Sequence, residues 1–261
     1  MEKFIIAVDL DETLLGDNKV VSQRNKDALN KCKELGFIIA ISSTRGYGSC
    51  ERIAKEISAD YVCCHSGNMI VKVDTEEIIY QKPFQKAEFQ EMVKEFLPLT
   101  QKIIIDSVKG LYGDIDVQAP EDKDLVDTWG VKHLSLNEML EKEIFKVCVW
   151  YEDSYKDKII DFCEKKNYIC RPMRGNNFML ITQKDSDKFY ALKKLAELFE
   201  INISNIVVFG DDDSDALSIE KSGYGVAMAN ARESVLKKAK YVTSSNNDDG
   251  VACFLEDLFN F

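Results

Sequence analysis

The chain has 261 residues, 45% of them hydrophobic and 30% charged, enough for one large domain or two modest ones with real cores. Its formal net charge is -11 and no Lys/Arg-rich run stands out, which argues against a nucleic-acid partner because such a binder shows a basic face. No apolar run approaches the ~20 residues of a membrane helix, so no membrane partner is expected.

The eight cysteines (Cys32, Cys50, Cys63, Cys64, Cys148, Cys163, Cys170 and Cys253) contain no CxxC pair, and several lie in apolar runs, as small buried hydrophobes do. With no signal-like start, the expected compartment is a reducing cytoplasm. Two histidines, His65 and His133, do not make a structural zinc site.

Phe4–Val8 is an uninterrupted apolar run and reads as a strand in the middle of a parallel sheet. Asp9 and Asp11 follow where it stops; alternation along a strand would send both to the same side, where two like charges need a cation or a proton between them. Ser22 reads as an N-cap for a helix carrying Ala28, Leu29, Cys32 and Leu35, closed by Gly36. A second strand, Phe37–Ile41, ends in Ser42-Ser43-Thr44-Arg45-Gly46, completing a right-handed βαβ unit. A helix over 49–57 and a strand over Tyr61–Cys64 repeat the pattern. A hairpin is expected from Met69–Val73 and Glu77–Tyr80.

Pro83 marks a boundary, after which the rhythm changes. Phe89, Met92, Val93, Phe96 and Leu97 form a helical stripe. Strands are expected over Lys102–Asp106, Ile144–Tyr151, Tyr168–Pro172 and Phe178–Thr182, with a helix opening at Ser154 as a capping-box-like start with Asp157. At Lys184 the first rhythm resumes: a helix from about Asp187, the strand Ile206–Phe209 ending in Gly210-Asp211-Asp212-Asp213-Ser214-Asp215, a short strand Gly225–Met228, a further helix and a last strand Lys240–Thr243. The expected architecture is an α/β core with a Rossmann-like, doubly wound parallel sheet, over 1–82 and 184–261, interrupted by an α+β cap over 83–183.

Ligands bind beyond the carboxyl ends of strands in open parallel sheets. Three such ends carry polar sets here: Asp9 with Asp11, Ser43-Thr44-Arg45, and the acids from Asp211 to Asp215. Gathered at one edge they suit phosphoryl transfer, with hard oxygen ligands for Mg²⁺, a carboxylate nucleophile, and a hydroxyl, N–H groups and a lysine for phosphoryl oxygens. An EF-hand is excluded, because its sixth and twelfth positions need Gly and Glu and are Ala216 and Ser222. Taken alone, the acids near Asp211 would be ordinary at a helix N-terminus, and His65 carries no assignment.

These residues resemble the motifs of the haloacid dehalogenase superfamily, and within it the Cof-type phosphatases of subclass IIB. Asp9-Leu10-Asp11-Glu12-Thr13 is similar to DxDxT, with Glu12 where most members carry Gly; Ser43-Thr44-Arg45 stands for Thr-Gly-Arg; Lys188-Phe189-Tyr190-Ala191-Leu192 for KGxAL; and Gly210 to Asp215 for GDxxND, with Ser214 for Asn. Ala227–Ala231 and Asp249–Ala252 resemble two further subgroup marks.

The resemblance implies an Mg²⁺-dependent phosphatase of small phosphorylated metabolites, acting as a monomer or weak homo-oligomer. It implies Asp9 as nucleophile, Asp11 as general acid and base, and Asp9, the Asp11 carbonyl and Asp211 as metal ligands. Ser43, Thr44, Lys188 and Ser214 would hold the phosphate, Asp215 would orient Lys188 or the metal shell, and the insert would act as a lid that selects the leaving group. Arg171 and Arg174 are candidates there for an anionic substrate. A sugar phosphomutase and a non-enzymatic phospho-accepting signalling domain are the alternatives; the hundred-residue insert speaks against the second.

Overall fold

The first apolar run is a strand whose four residues are all buried, β1 (Ile5–Val8). The computed structural model describes residues 2–172 and 177–261. After β1 come α1 (Gln23–Glu34), β2 (Ile38–Ser42), α2 (Tyr47–Glu56), β3 (Tyr61–Cys64), and the hairpin β4 (Met69–Lys72) and β5 (Ile78–Gln81). Then follow α3 (Lys86–Phe96), β6 (Thr100–Ser107), β7 (Gly110–Gly113), α4 (Lys123–Asp127), β8 (Lys132–His133), α5 (Leu136–Met139), β9 (Ile144–Tyr151), α6 (Lys156–Lys166), β10 (Ile169–Pro172) and β11 (Phe178–Thr182). The chain closes with α7 (Lys188–Leu198), β12 (Ile206–Gly210), α8 (Ala216–Lys221), β13 (Tyr224–Ala227), α9 (Glu233–Leu236), β14 (Tyr241–Val242) and α10 (Gly250–Phe259). Two compact units result: Met1–Gln81 with Asp187–Phe261, and Lys82–Ser186.

The first unit is built on an eight-stranded sheet in the order β14-β13-β12-β1-β2-β3-β4-β5. It is parallel from β14 to β3, and the β4–β5 hairpin extends it antiparallel. Ile5 and Ala7 face Leu192 and Leu195 of α7 and Ile219 of α8, while Ile6 and Val8, on the alternate face, are equally buried. Each of the larger side chains, Ile5, Ile6 and Val8, contributes roughly 1.5–3 kcal/mol by leaving water, which is why the strand tolerates no polar residue until Asp9. The register then places the site: Val8 lies level with Ile41 on one side and Phe209 on the other. The residues that follow, Asp9, Ser42-Ser43 and Gly210-Asp211, therefore leave one edge of one sheet.

The second unit holds a six-stranded sheet, order β10-β11-β9-β6-β7-β8, antiparallel except for the β7–β8 pair. One face packs Ile103, Ile105, Val147 and Val149 against Phe89, Met92 and Phe96 of α3 and Ile159 and Cys163 of α6. The other buries Ile104 and Cys148 with Leu125, Val131 and Phe178, and Trp129 and Trp150 pack on it.

Two local readings differ from expectation. Ser154 does not cap α6: it sits in a 3-10 turn, Asp153–Tyr155, and the helix starts afterwards without a side-chain cap. The capping boxes are instead Gln85 with Glu88 on α3 and Ser135 with Glu138 on α5. The short elements α4, α5, β7 and β8 had no periodic signature, being too brief to repeat one. Arg171 lies on β10, and Arg174 lies outside the described residues.

Candidate active site

The backbone after β1 does not continue as a strand. Residues Leu10–Leu14 form one wide turn, with the Leu14 N–H donating to the Asp9 carbonyl at 3.2 Å and the Leu15 N–H to the Leu10 carbonyl at 2.8 Å. The turn requires Glu12 at φ 54, ψ 14, the left-handed region that favours glycine. It also carries Thr13 inward, where its Oγ1, wholly buried, donates to Asp211 Oδ1 at 2.7 Å. The threonine thus fixes the acid at the end of β12 from the end of β1.

Lys188 opens α7, and Asp187 caps that helix by accepting the Phe189 N–H at 2.9 Å. A cation at a helix N-terminus opposes the dipole, and here two carboxylates offset it. Lys188 Nζ donates to Asp9 Oδ1 at 2.7 Å and to Asp215 Oδ1 at 2.8 Å, with Lys188 only 2% exposed. Asp215 Oδ2 also accepts the Asp212 N–H at 3.3 Å. Gly210 makes room for this carboxylate, because a Cβ there would stand 2.3 Å from Asp215 Cγ.

One oxygen each of Asp9, Asp211 and Asp215 lies within 4.8 Å of the others, and all three residues are buried. Their electrostatics follow. Burial lifts the Asp9 carboxyl to about 7, with the Asp215 charge adding to the rise and Lys188 opposing it. Burial and the charges of Asp9 and Glu12 lift Asp211 to about 6 against the Thr13 hydrogen bond. Asp215 is also raised, chiefly by burial, while Lys188 is held protonated because Asp215 and Asp9 overcome the cost of burying it. Three acids around one buried cation are an electron-rich set short of positive charge. Their hard oxygens fit a compact divalent cation.

Asp11 behaves differently. Its carboxylate accepts two hydrogen bonds from Arg45, Nε at 2.8 Å and Nη2 at 2.6 Å, and Lys19 Nζ lies 3.6 Å away. Burial would raise its pKa, but Arg45 and then Lys19 outweigh that and keep it below the ordinary carboxylate range. The expected alternation of Asp9 and Asp11 along a strand does not apply, since β1 ends at Val8 and the two acids answer to different partners.

A cavity of about 180 Å³ is lined by Asp9, Asp11, Glu12, Thr44, Lys188, Asp211 and Ser214, together with Asp212, Asn230 and Arg232. Ser43 is buried and is not part of that lining; its Oγ accepts the Arg45 N–H at 3.2 Å and its N–H donates to the Cys63 carbonyl at 2.8 Å. A larger cavity of about 420 Å³ opens elsewhere on this unit, but its facing charges are paired, Lys33 with Asp60 and Lys72 with Asp74.

Sequence reasoning missed the braces. The turn His65–Gly67 after β3 has three successive left-handed residues, φ 51, 58 and 86. Its N–H groups bind the loop before it, His65 to the Arg45 carbonyl at 2.8 Å and Ser66 to the Ser43 carbonyl at 3.3 Å. Gly67 also abuts α7, since a Cβ on it would lie 2.1 Å from the Asp187 carbonyl oxygen. One turn therefore supports both the Ser43–Arg45 loop and Lys188. Asn230 Nδ2 donates to the Glu12 carbonyl at 2.7 Å, and its Oδ1 accepts the Asn246 N–H at 3.0 Å. The glycine was the available signal for the first brace, and the Ala227–Ala231 stretch, which contains Asn230, was the signal for the second.

The chain is similar to known proteins along nearly its whole length. The chain is 27% identical to the putative phosphatase YxeH of Bacillus subtilis over 97% of both proteins. It is 24% identical to 5-amino-6-(5-phospho-D-ribitylamino)uracil phosphatase YwtE of the same organism over 98% of both. The crystal structure of a haloacid dehalogenase-like hydrolase from Bacteroides thetaiotaomicron shares the fold, with a TM-score of 0.84 at 21% identity, covering 99% of this chain and 100% of that one. The family model described as haloacid dehalogenase-like hydrolase matches residues 6–255, and the chain belongs to that family.

Proposed function

We propose that the protein is an Mg²⁺-dependent phosphatase that hydrolyses small phosphorylated metabolites through an aspartyl-phosphate on Asp9. The observation that carries this reading is Lys188 bound at once to Asp9 and Asp215 beside Asp211, two strand-end acids, one acid at the start of α8 and a lysine at one sheet edge. Phosphatase chemistry also accords with the curated relatives, one of which is named for a ribityl phosphate substrate.

In this reading Asp9, the Asp11 carbonyl and Asp211 hold Mg²⁺, and Asp215 stands close enough to steady Lys188 or the metal shell. The cation supplies charge neutralisation at the phosphoryl oxygens and keeps Asp9 ionised near neutral pH. Asp9 attacks phosphorus and the leaving oxygen departs. The negative charge of bound substrate raises the Asp11 carboxyl, which Arg45 and Lys19 otherwise hold ionised, so that Asp11 gives that oxygen a proton and then takes one from the water that cleaves the acyl phosphate. Lys188, the Thr44 N–H and Ser214 hold phosphoryl oxygens, while Ser43 acts through the Arg45 loop as well as directly. Residues 82–186 select the leaving group. Turnover, with the phosphoryl group going to water, distinguishes this reading from a phosphomutase and from a signalling domain.

The test is phosphate release across a panel of sugar and polyol phosphates with Mg²⁺. Release that stops in EDTA, returns with Mg²⁺ and is absent from Asp9→Asn is expected. Full activity in EDTA removes the metal assignment; full activity of Asp9→Asn removes the nucleophile.

A further inference from the structure

Of the four acids given a role in the reaction, Asp9, Asp11, Asp211 and Asp215, Asp11 stands apart from the cluster. Asp9, Asp211 and Asp215 share one centre, whereas both Asp11 oxygens are taken by the Arg45 guanidinium at 2.8 and 2.6 Å. The fork matters because two parallel N–H donors fix the plane of a carboxylate as well as its position, which a lysine cannot do. Lys19, on the turn closed by its own N–H to the Gly16 carbonyl at 2.8 Å, adds a second cation at 3.6 Å from a different stretch of chain.

Arg45 is itself held. Its N–H donates to Ser43 Oγ at 3.2 Å and its carbonyl accepts the His65 N–H at 2.8 Å. The guanidinium therefore projects from a backbone fixed by both the β2 end and the left-handed turn after β3. As a contribution to stability, such a half-exposed pair is worth little, with 30% of the Arg45 side chain and 46% of the Asp11 side chain accessible. Its consequence is orientation.

We propose that Arg45 is a positioning residue for Asp11. It holds the carboxylate at the cavity wall, outside the Asp9–Asp211–Asp215 cluster, in the orientation from which Asp11 serves the leaving oxygen and the water. The inference rests on the reading of Asp11 as the proton carrier. The pairing also balances the Asp11 charge, which would otherwise join Asp9, Glu12 and Asp211 around a cavity of about 180 Å³. With Nε and Nη2 both spent on Asp11, Arg45 acts on the proton-dependent step and not on capture of the phosphate.

The experiment is a double-mutant cycle on the full chain with Mg²⁺, using Arg45→Met, Asp11→Asn and the double variant. Phenyl phosphate, which needs help to leave, is compared with p-nitrophenyl phosphate, which needs little. Arg45→Met is expected to lower kcat on phenyl phosphate by about 10–100-fold, less on p-nitrophenyl phosphate, with KM within about 2-fold. In the Asp11→Asn background the same substitution should change kcat by less than about 2-fold, because the interaction it serves is already gone. Arg45→Lys, which keeps the charge without the fork, should recover only part of the loss. Mg²⁺ affinity by calorimetry should be unchanged in Arg45→Met.

An equal Arg45→Met loss in both backgrounds, a rise in KM at constant kcat, or loss of Mg²⁺ binding would each overturn the positioning role. A wild-type kcat for Asp11→Asn on both substrates would overturn the reading of Asp11 beneath it, so the two failures are separable.

Discussion

Replacing Lys188 by Met tests the charge balance at the centre of the site. Methionine keeps the apolar stem in a position that is 2% exposed, but it leaves Asp9 and Asp215 without the ammonium now 2.7 and 2.8 Å from them. Removing one partner of a buried ion pair costs about 3–5 kcal/mol, because the remaining charge is neither solvated nor compensated. The carboxylates can escape part of that cost by binding a proton. In the folded variant one extra proton replaces the lost cation, while the unfolded chain, with carboxylates near their ordinary value, has released it. Folded protein then binds more protons than unfolded protein, so stability relative to wild type falls as pH rises, by about 1.4 kcal/mol per unit for one proton.

The deficit should therefore be about 3–5 kcal/mol at pH 8 in EDTA and smaller by about 2–3 kcal/mol at pH 5.5. Urea unfolding at the two pH values measures it, and Mg²⁺ at pH 8 should return part of the loss by supplying charge beside Asp9. A deficit under about 1 kcal/mol at pH 8, or one that does not change with pH, would refute the reasoning.

Metal binding should depend on pH in the opposite sense, strengthening as pH rises. Asp9 at about 7 and Asp211 at about 6 hold protons in the metal-free folded protein. Their stabilising effect is complete below the unfolded carboxylate range and is lost as pH rises through 6 and 7. Mg²⁺ must displace those protons, so its affinity should fall roughly tenfold per pH unit between 7 and 6, roughly a hundredfold per unit below 6, and level off above 7; calorimetry showing no change between pH 6 and 7 would contradict the assignment. Glu12→Gly should raise stability by up to about 1 kcal/mol, since φ 54 costs glycine little, although its entropy offsets part of the gain. Denaturant midpoints would show this, and a loss of stability would count against backbone strain there. Gly67→Ala should drive its Cβ into the Asp187 carbonyl oxygen, 2.1 Å away, and displace Lys188. Thermal unfolding should fall and kcat drop at least about 10-fold; an unchanged kcat would show that the turn does not position the lysine.

The legible parts of the sequence were those with a period or a sharp change of polarity. β1, β2 and β12 are apolar runs ended by acids or hydroxyls, and alignment of such ends at one edge follows from parallel register. Lys188 could be placed because Leu192 and Leu195 mark one face of its helix and Asp187 its start. The partner of Asp11 could not be placed. Arg45 stands 34 positions away on another strand end, and nothing local states that its fork closes on this carboxylate rather than on a phosphate. Thr13 and Asp211 are 198 positions apart, joined by a turn whose geometry depends on one left-handed residue that the sequence fills with Glu. Short elements such as α5 were invisible for a different reason, because four residues complete barely one helical turn.

The central claim is that Asp9, not water, attacks phosphorus. Single-turnover hydrolysis of a phosphorothioate ester made chiral with sulfur and two oxygen isotopes, carried out in water of the third oxygen isotope, reads this directly. Two successive in-line displacements, first by Asp9 and then by water, predict net retention of configuration at phosphorus. Net inversion would show a single displacement by water and would contradict the account.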